Sequence, residues 1–247
     1  MGLTGGGLRA WALDGLPEVR PGDDLAALLH DGGYEPGDVL VVAHKVVSKA
    51  EGALRRLDDV VVGDRAEELA REHAKDPRHV QVILDESAAV VRAQRGVLIC
   101  RTHHGFVCAN AGVDTSNAPE DGALVVLPRD PDASARALRA ALPHRPAVVV
   151  ADSFGRAWRH GQCDVAIGIA GLAAVDDWRG RRDARGLELR ATAIAIADEA
   201  AAAADLVRDK ASRQPAVVVR GLARHVTDDD GPGAAALIRP VAEDLFG

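Results

Sequence analysis

Asp114 in NAGVDTSN and Asp152 in ADSFGR each follow an apolar run and sit among small polar residues. Carboxylates held this way suit hard divalent ions such as magnesium or manganese, which prefer oxygen ligands and keep positions open for phosphate. Two of them converging from separate loops could clamp a nucleoside triphosphate. The same surroundings also suit Asx turns and helix caps, and spacing leaves both readings open. Beyond the second aspartate, GRAWRHGQCD places Arg156, Arg159 and His160 around Trp158. Such a cluster can neutralise phosphate or carboxylate groups; an exposed basic patch is the competing view.

Lysine is used sparingly: Lys45, Lys49, Lys75 and Lys210 stand in a chain dominated by arginine, and two of them fall in VVAHKVVSKAEG. A compact ammonium is a point donor for phosphate oxygens, so lysine kept in this segment suits a phosphate contact. A solvated strand end would explain it equally well. No Gly-x-x-x-x-Gly-Lys-Ser/Thr stretch occurs, so a nucleotide would have to be held without a P-loop. His103 and His104 lack a third ligand and read as hairpin residues. Asp85, Glu86, Asp198 and Glu199 read as charged helix faces. Cys100, Cys108 and Cys163 are odd in number without Cys-x-x-Cys spacing, which favours reduced structural thiols.

These residues need elements to place them. DDLAALLHDG reads as a short helix, and DVLVVAHKVVS, residues 38–48, as a buried strand running into a turn. RAEELAREHAK and VQVILDESAAVVRA carry helical periodicity around an Asp76-Pro77 break. GVLICRTHHGFVCANAGVDTSN reads as two strands folded about His103, His104 and Gly105. ALVVLP, the helix DASARALRAAL and the strand AVVVADSFGR follow, then the Ala-rich helix ATAIAIADEAAAAADLVRD and a last strand PAVVVRGL. TDDDGPGAA reads as a mobile surface loop. Strands and helices alternate without a regular βαβ repeat, which predicts an α+β protein with mixed or antiparallel sheets rather than a doubly wound fold.

With 247 residues, 47% hydrophobic, the chain can bury a core as a single domain, 1–247, of two intimately associated subdomains. A net charge of -7 argues against a general nucleic-acid binder. Apolar runs are broken well short of the roughly 20 residues a membrane span needs, and the first residues lack a leader pattern, so a cytoplasmic location is expected.

Several blocks, in order, resemble the coenzyme F-420:L-glutamate ligase family: DGLPEVRPGDDL, GDVLVVAHKVVSKAEG, NAGVDTSN, DPDASARALR, DSFGRAWRHGQCDVAIGIAGL, and ADEAAAAADLV followed by PAVVVRGL. The resemblance runs from about Asp14 to Gly221. It implies GTP-dependent addition of L-glutamate to the lactyl carboxylate of F-420-0, often with further γ-linked glutamates. It also implies a homodimer and a divalent magnesium or manganese ion, and leaves room for potassium. By position it assigns GTP contacts to Asp14, Gly15, Leu16, Pro17, His44, Lys45, Lys49 and Asn117, and metal ligands to Asp114, Asp152 and Ser153. Arg156 and Arg159 join Asp114 and Asp152 as the residues expected to stabilise the transferring phosphoryl group.

There are departures. His44 stands where Gln or Ser occur, Ser153 where the family carries threonine, and RDKASRQ where it has a Gly-rich loop. Some relatives carry a C-terminal nitroreductase-like domain; here a stand-alone ligase is expected. An acid-amine ligase with another acceptor, and a silent nucleotide-binding protein, remain alternatives.

Overall fold

The computed structural model describes residues 7–116, 118, 120–208 and 213–244. In chain order the elements are β1 (Arg9–Ala12), α1 (Leu25–Leu29), β2 (Val39–Ala43), α2 (His44–Ala50), β3 (Leu54–Arg56), α3 (Asp64–His73), α4 (Pro77–Asp85), β4 (Ser87–Gln94), β5 (Val97–Thr102), β6 (Val107–Ala109), β7 (Ala123–Val125), α5 (Pro131–Ala141), β8 (Ala147–Arg156), β9 (Arg159–Ala170), β10 (Asp176–Asp177), β11 (Ala193–Ile194), α6 (Ile196–Val207) and β12 (Ala216–Arg220). The architecture is α+β with mixed and antiparallel sheets.

The largest sheet has the order β1-β12-β2-β8-β9. Only β2 and β8 run parallel in it; the other pairings are antiparallel. Its three central strands are β-branched runs because both faces are covered. Leu40, Val42, Val148, Val150, Ala216 and Val218 pack with Leu25 and Leu29 of α1, Val47 of α2 and Leu138 of α5. Val39, Val41, Val149, Val217 and Val219 pack with α6 through Ile196, Ala200, Ala201 and Ala204. Gly168 lets α5 approach β9: a Cβ there would stand 2.3 Å from Pro131 O. A separate core forms within residues 53–126, from Leu69 of α3, Val80 and Ile83 of α4, Leu98 and Cys100 of β5, and Leu124 of β7. Asp76 and Asp130 each cap a helix whose first residue is proline, accepting from Arg78 N and Ala133 N respectively, at 2.8 Å in each case.

Three expectations are corrected. The strand read through Ser48 stops at Ala43, and HKVVSKA is helix α2. The helix read through VQVILDESAAVVRA ends at Asp85; SAAVVRAQ is strand β4, paired with β5. The TDDDGPGAA segment is packed down: Asp230 accepts from the buried Arg139 at 2.6 Å, and the Ala234 N–H donates to Asp132 at 2.9 Å. Strand β9 is also an addition to the expected elements, its Val165, Ile167 and Ile169 alternating along the C-terminal half.

One end of the large sheet gathers several chain segments. Ala43 pairs with Ala151, the last pair of β2 with β8, where β2 finishes and β8 runs on beside β9. The Ala43 N–H donates to Pro215 O at 2.8 Å, and the Leu13 N–H to Ala216 O at 2.9 Å. Residues 13–18, 44–49 and 213–215 therefore flank the sheet at this one end, where residues 152–156 of β8 extend past β2 in the hairpin with β9. Open sheets bind ligands beyond the carboxyl ends of their parallel strands.

Candidate active site

Helix α2 begins directly where β2 ends, and it is pinned by Val47 against the core. That anchoring presents three nitrogen-bearing side chains to three different segments. His44 Nε2 lies 3.2 Å from Asp152 Oδ1 on β8. Lys45 Nζ donates to Ser116 Oγ at 2.6 Å and lies 2.6 Å from Asp114 Oδ2. Lys49, itself buried, reaches Glu18 Oε1 at 2.5 Å just past the DGLP turn. The helix is thus the junction of the site.

Asp114 accepts the Ser116 N–H at 2.7 Å, the Asx turn its sequence allows, and its backbone pairs with Val125. Burial pushes its carboxyl pKa up, but the Lys45 ammonium and the Ser116 hydrogen bonds together outweigh burial and hold it below the usual carboxylate range. Asp152 accepts the N–H of Ser153 at 2.7 Å. Along β8, Val148, Val150 and Phe154 belong to the α5 side and Val149 and Ala151 to the α6 side, so alternation turns Asp152 toward α2 and Ser153 away from it. Ser153 Oγ donates to Asp164 Oδ1 at 2.6 Å, its cross-strand partner on β9. Asp164 is buried and is also gripped by Arg208, just after α6.

Among the described residues no group of three or more His, Cys, Asp or Glu side chains is placed to hold a metal. Asp114 is occupied by Lys45 and Ser153 by Asp164, so neither presents a free donor next to Asp152. Asp152 and His44 do fit a cation. The 3.2 Å approach lacks hydrogen-bond direction and leaves the buried His44 Nε2 without a hydrogen-bond partner. A divalent ion held by few protein groups can complete its shell with phosphate oxygens and water.

The DGLP segment lines the same sheet end. Gly15 takes φ +76°, the left-handed turn glycine permits, and Asp14 Oδ1 accepts from Gln214 Nε2. Leu16 is half-buried and Pro17 exposed. Asn117 lies outside the described residues. Arg156 and Arg159 pair across the tip of the β8–β9 hairpin, which runs past the end of β2; both are exposed, with Arg156 donating to His160 O at 2.7 Å. On β6, burial first, then the nearby Asp152 carboxylate, pushes the Cys108 thiol up to about 12, which favours the protonated form. The three cysteines are free thiols.

Residues 15–221 match the family model described as F-420-0:gamma-glutamyl ligase. The chain belongs to this family. The coenzyme F-420:L-glutamate ligase of Methanopyrus kandleri is 45% identical, across 98% of this chain and 99% of that protein. The proteins of the same name from Methanothermobacter thermautotrophicus and Methanocaldococcus jannaschii are 41% and 40% identical; they cover 97% and 94% of this chain, and the matches take in 99% and 94% of their own lengths. The match to the F-420-0:gamma-glutamyl ligase family thus takes in α2, Asp114, Asp152 and the hairpin together.

Three participants have no counterpart in the sequence reading. Glu18, the residue after DGLP, holds Lys49; Asp164 and Arg208 hold Ser153 from behind. Alternation along QCDVAIGIA would have marked Asp164 as a strand residue, but its partner depends on the pairing of β8 with β9. No helix among the described residues is long and apolar enough to cross a membrane.

Proposed function

We propose that this protein is a GTP-dependent ligase that joins the amine of L-glutamate to the lactyl carboxylate of F-420-0, with further glutamates added through γ-linkages. The observation that carries this reading is the meeting, at α2, of residues from four separate segments of a family member: Glu18 after DGLP, His44 to Lys49, Asp114 with Ser116, and Asp152. The nucleotide lies across the sheet end, between the DGLP turn and the first turn of α2.

A free carboxylate is a poor acylating agent, so it has to be activated. An oxygen of the acceptor carboxylate attacks the γ-phosphorus of GTP, the bond to the β-phosphate oxygen breaks, and GDP leaves an acyl phosphate. The glutamate amine then attacks the acyl carbon, the carbon–oxygen bond to phosphate breaks, and an amine proton is lost as phosphate departs. Lys45 and Lys49 exchange their carboxylate partners for phosphate oxygens, which keeps the ammonium charges neutralised throughout. Arg156 and Arg159 meet the anionic groups from the hairpin tip. Asp152, joined by Asp114 once Lys45 has turned to phosphate, would hold a divalent ion, magnesium or manganese, whose charge would offset that of the triphosphate.

The test is incubation of purified protein with F-420-0, L-glutamate, GTP and manganese or magnesium, read by mass spectrometry. Mass gains in glutamate units that require GTP and are lost in Asp114→Ala are expected. Intact GTP binding with no mass gain would refute the acceptor. The reading includes a homodimer, for which light scattering should give twice the chain mass.

A further inference from the structure

His44 combines a polar ring with near-complete burial. It is 2% exposed, and its Nε2 has no hydrogen-bond partner although Asp152 Oδ1 stands 3.2 Å away. A buried polar atom left this way needs a reason. Its other ring nitrogen, Nδ1, lies 3.4 Å from Ser48 Oγ, one turn further along α2. With the proton on Nδ1 and directed at Ser48, Nε2 presents a lone pair beside a carboxylate oxygen. Two electron-rich atoms facing the same space repel each other unless a cation lies between their lone pairs. Metal-bound imidazoles carry this arrangement, with the second ring N–H held by a neighbouring acceptor.

The spacing agrees with shared ligation. Two adjacent ligands of an octahedral ion with bonds of about 2.1 Å stand about 3.0 Å apart, close to the 3.2 Å between Nε2 and Oδ1. The Asp152 side chain is 14% exposed, so the pair borders the open end of the sheet.

We propose that His44 is a direct ligand, through Nε2, of the divalent ion held by Asp152, and that it biases the site from magnesium toward a first-row transition ion. The assignment rests on the ligase reading for the ion's purpose, and on the His44–Asp152 geometry for its place. Magnesium favours oxygen donors and tolerates replacement of one by nitrogen poorly, whereas imidazole suits transition ions. The position is a specificity determinant as well as a ligand. A glutamine there would offer an amide oxygen and restore the preference for magnesium.

Mn2+ is the probe, because its unpaired electrons sense directly bound nitrogen. Pulsed electron paramagnetic resonance of Mn2+ on the full chain should show imidazole nitrogen modulation. Labelling histidine alone with 15N should change that pattern, and His44→Gln should abolish it. In equilibrium titrations His44→Gln should weaken Mn2+ binding by at least about tenfold, with a smaller loss for Mg2+. Absence of Mn2+ binding, bound Mn2+ without histidine coupling, or coupling that survives His44→Gln overturns the assignment, whether or not the protein glutamylates F-420-0. Histidine coupling in a protein that adds no glutamate refutes the ligase reading and leaves the ligand in place.

Discussion

Lys45 Nζ lies 2.6 Å from the Asp114 carboxylate and 2.6 Å from Ser116 Oγ, latching the first turn of α2 to the loop at residues 114–116. Burial raises the Asp114 pKa more than any other single effect, and the Lys45 and Ser116 contacts reverse it. Lys45→Met leaves burial less opposed, so the Asp114 carboxyl should titrate higher than in the parent protein, as read by carboxyl-carbon NMR. The sign for stability follows. In the parent the folded pKa is depressed, so the stabilisation is full above the ordinary carboxylate pKa of about 4 and is lost as pH falls through the folded value. The variant should lose that acid-side dependence, and turnover should fall about a hundredfold with it. An Asp114 that titrates as in the parent would mean that Lys45 contributes nothing to its ionisation.

Adjacent residues on β8 should respond differently. Asp152 faces α2, whereas Ser153 points to Asp164 and Arg208 behind the strand. Asp152→Asn should keep the melting temperature within a few degrees and lose turnover by two or more orders of magnitude. Ser153→Ala removes a hydrogen bond to a buried carboxylate, so about 1–2 kcal/mol of stability should go while most turnover stays. Equal losses of turnover in both variants would show that the two residues act as one unit.

At the hairpin tip, Arg156 and Arg159 are exposed and belong to none of the core clusters. Arg156→Ala with Arg159→Ala should leave chemical denaturation unchanged. If the guanidinium groups meet anionic substrate, kcat/KM drops by about tenfold or more and the remaining activity becomes less sensitive to salt. Unaltered kinetics at low ionic strength would make the pair a surface patch.

Much of the large sheet was legible because burial on both faces writes strands as unbroken β-branched runs, as in VLVVA and AVVVR. The same rule misleads one residue further on. Val46 and Val47 continue the run, yet they belong to α2, because β2 has no paired neighbour beyond Ala43 and Val47 finds its burial by turning into a helix. Residues 87–93 fail in reverse: SAAVVRA fits helical spacing, and pairing with β5 decides for strand. Asp114, Asp152, Lys45 and Lys49 were recognisable by type and by family resemblance. Their meeting was not, since it depends on the parallel pairing of β2 with β8 across more than ninety intervening residues.

The opposite end of the sheet offers a test of fold alone. Arg220 donates from Nε to Asp38 Oδ1 and from Nη2 to Oδ2, both at 2.8 Å, where β12 ends and β2 is about to begin. Asp38 is 1% exposed and also accepts the Glu35 N–H at 2.8 Å, while the guanidinium lies over Trp11 at 5.0 Å. Arg220→Leu would strand a carboxylate in a buried position, a change that costs about 3 kcal/mol or more. Urea denaturation should show that loss. Adding Asp38→Asn should recover part of it, because a neutral amide still accepts from Glu35 without an unpaired charge. Turnover per folded molecule should be unchanged in both, since the site lies beyond the other end of β12. A cost below about 1 kcal/mol would mean that solvent reaches Asp38 and that the sheet does not rely on this pair to join β12 to β2.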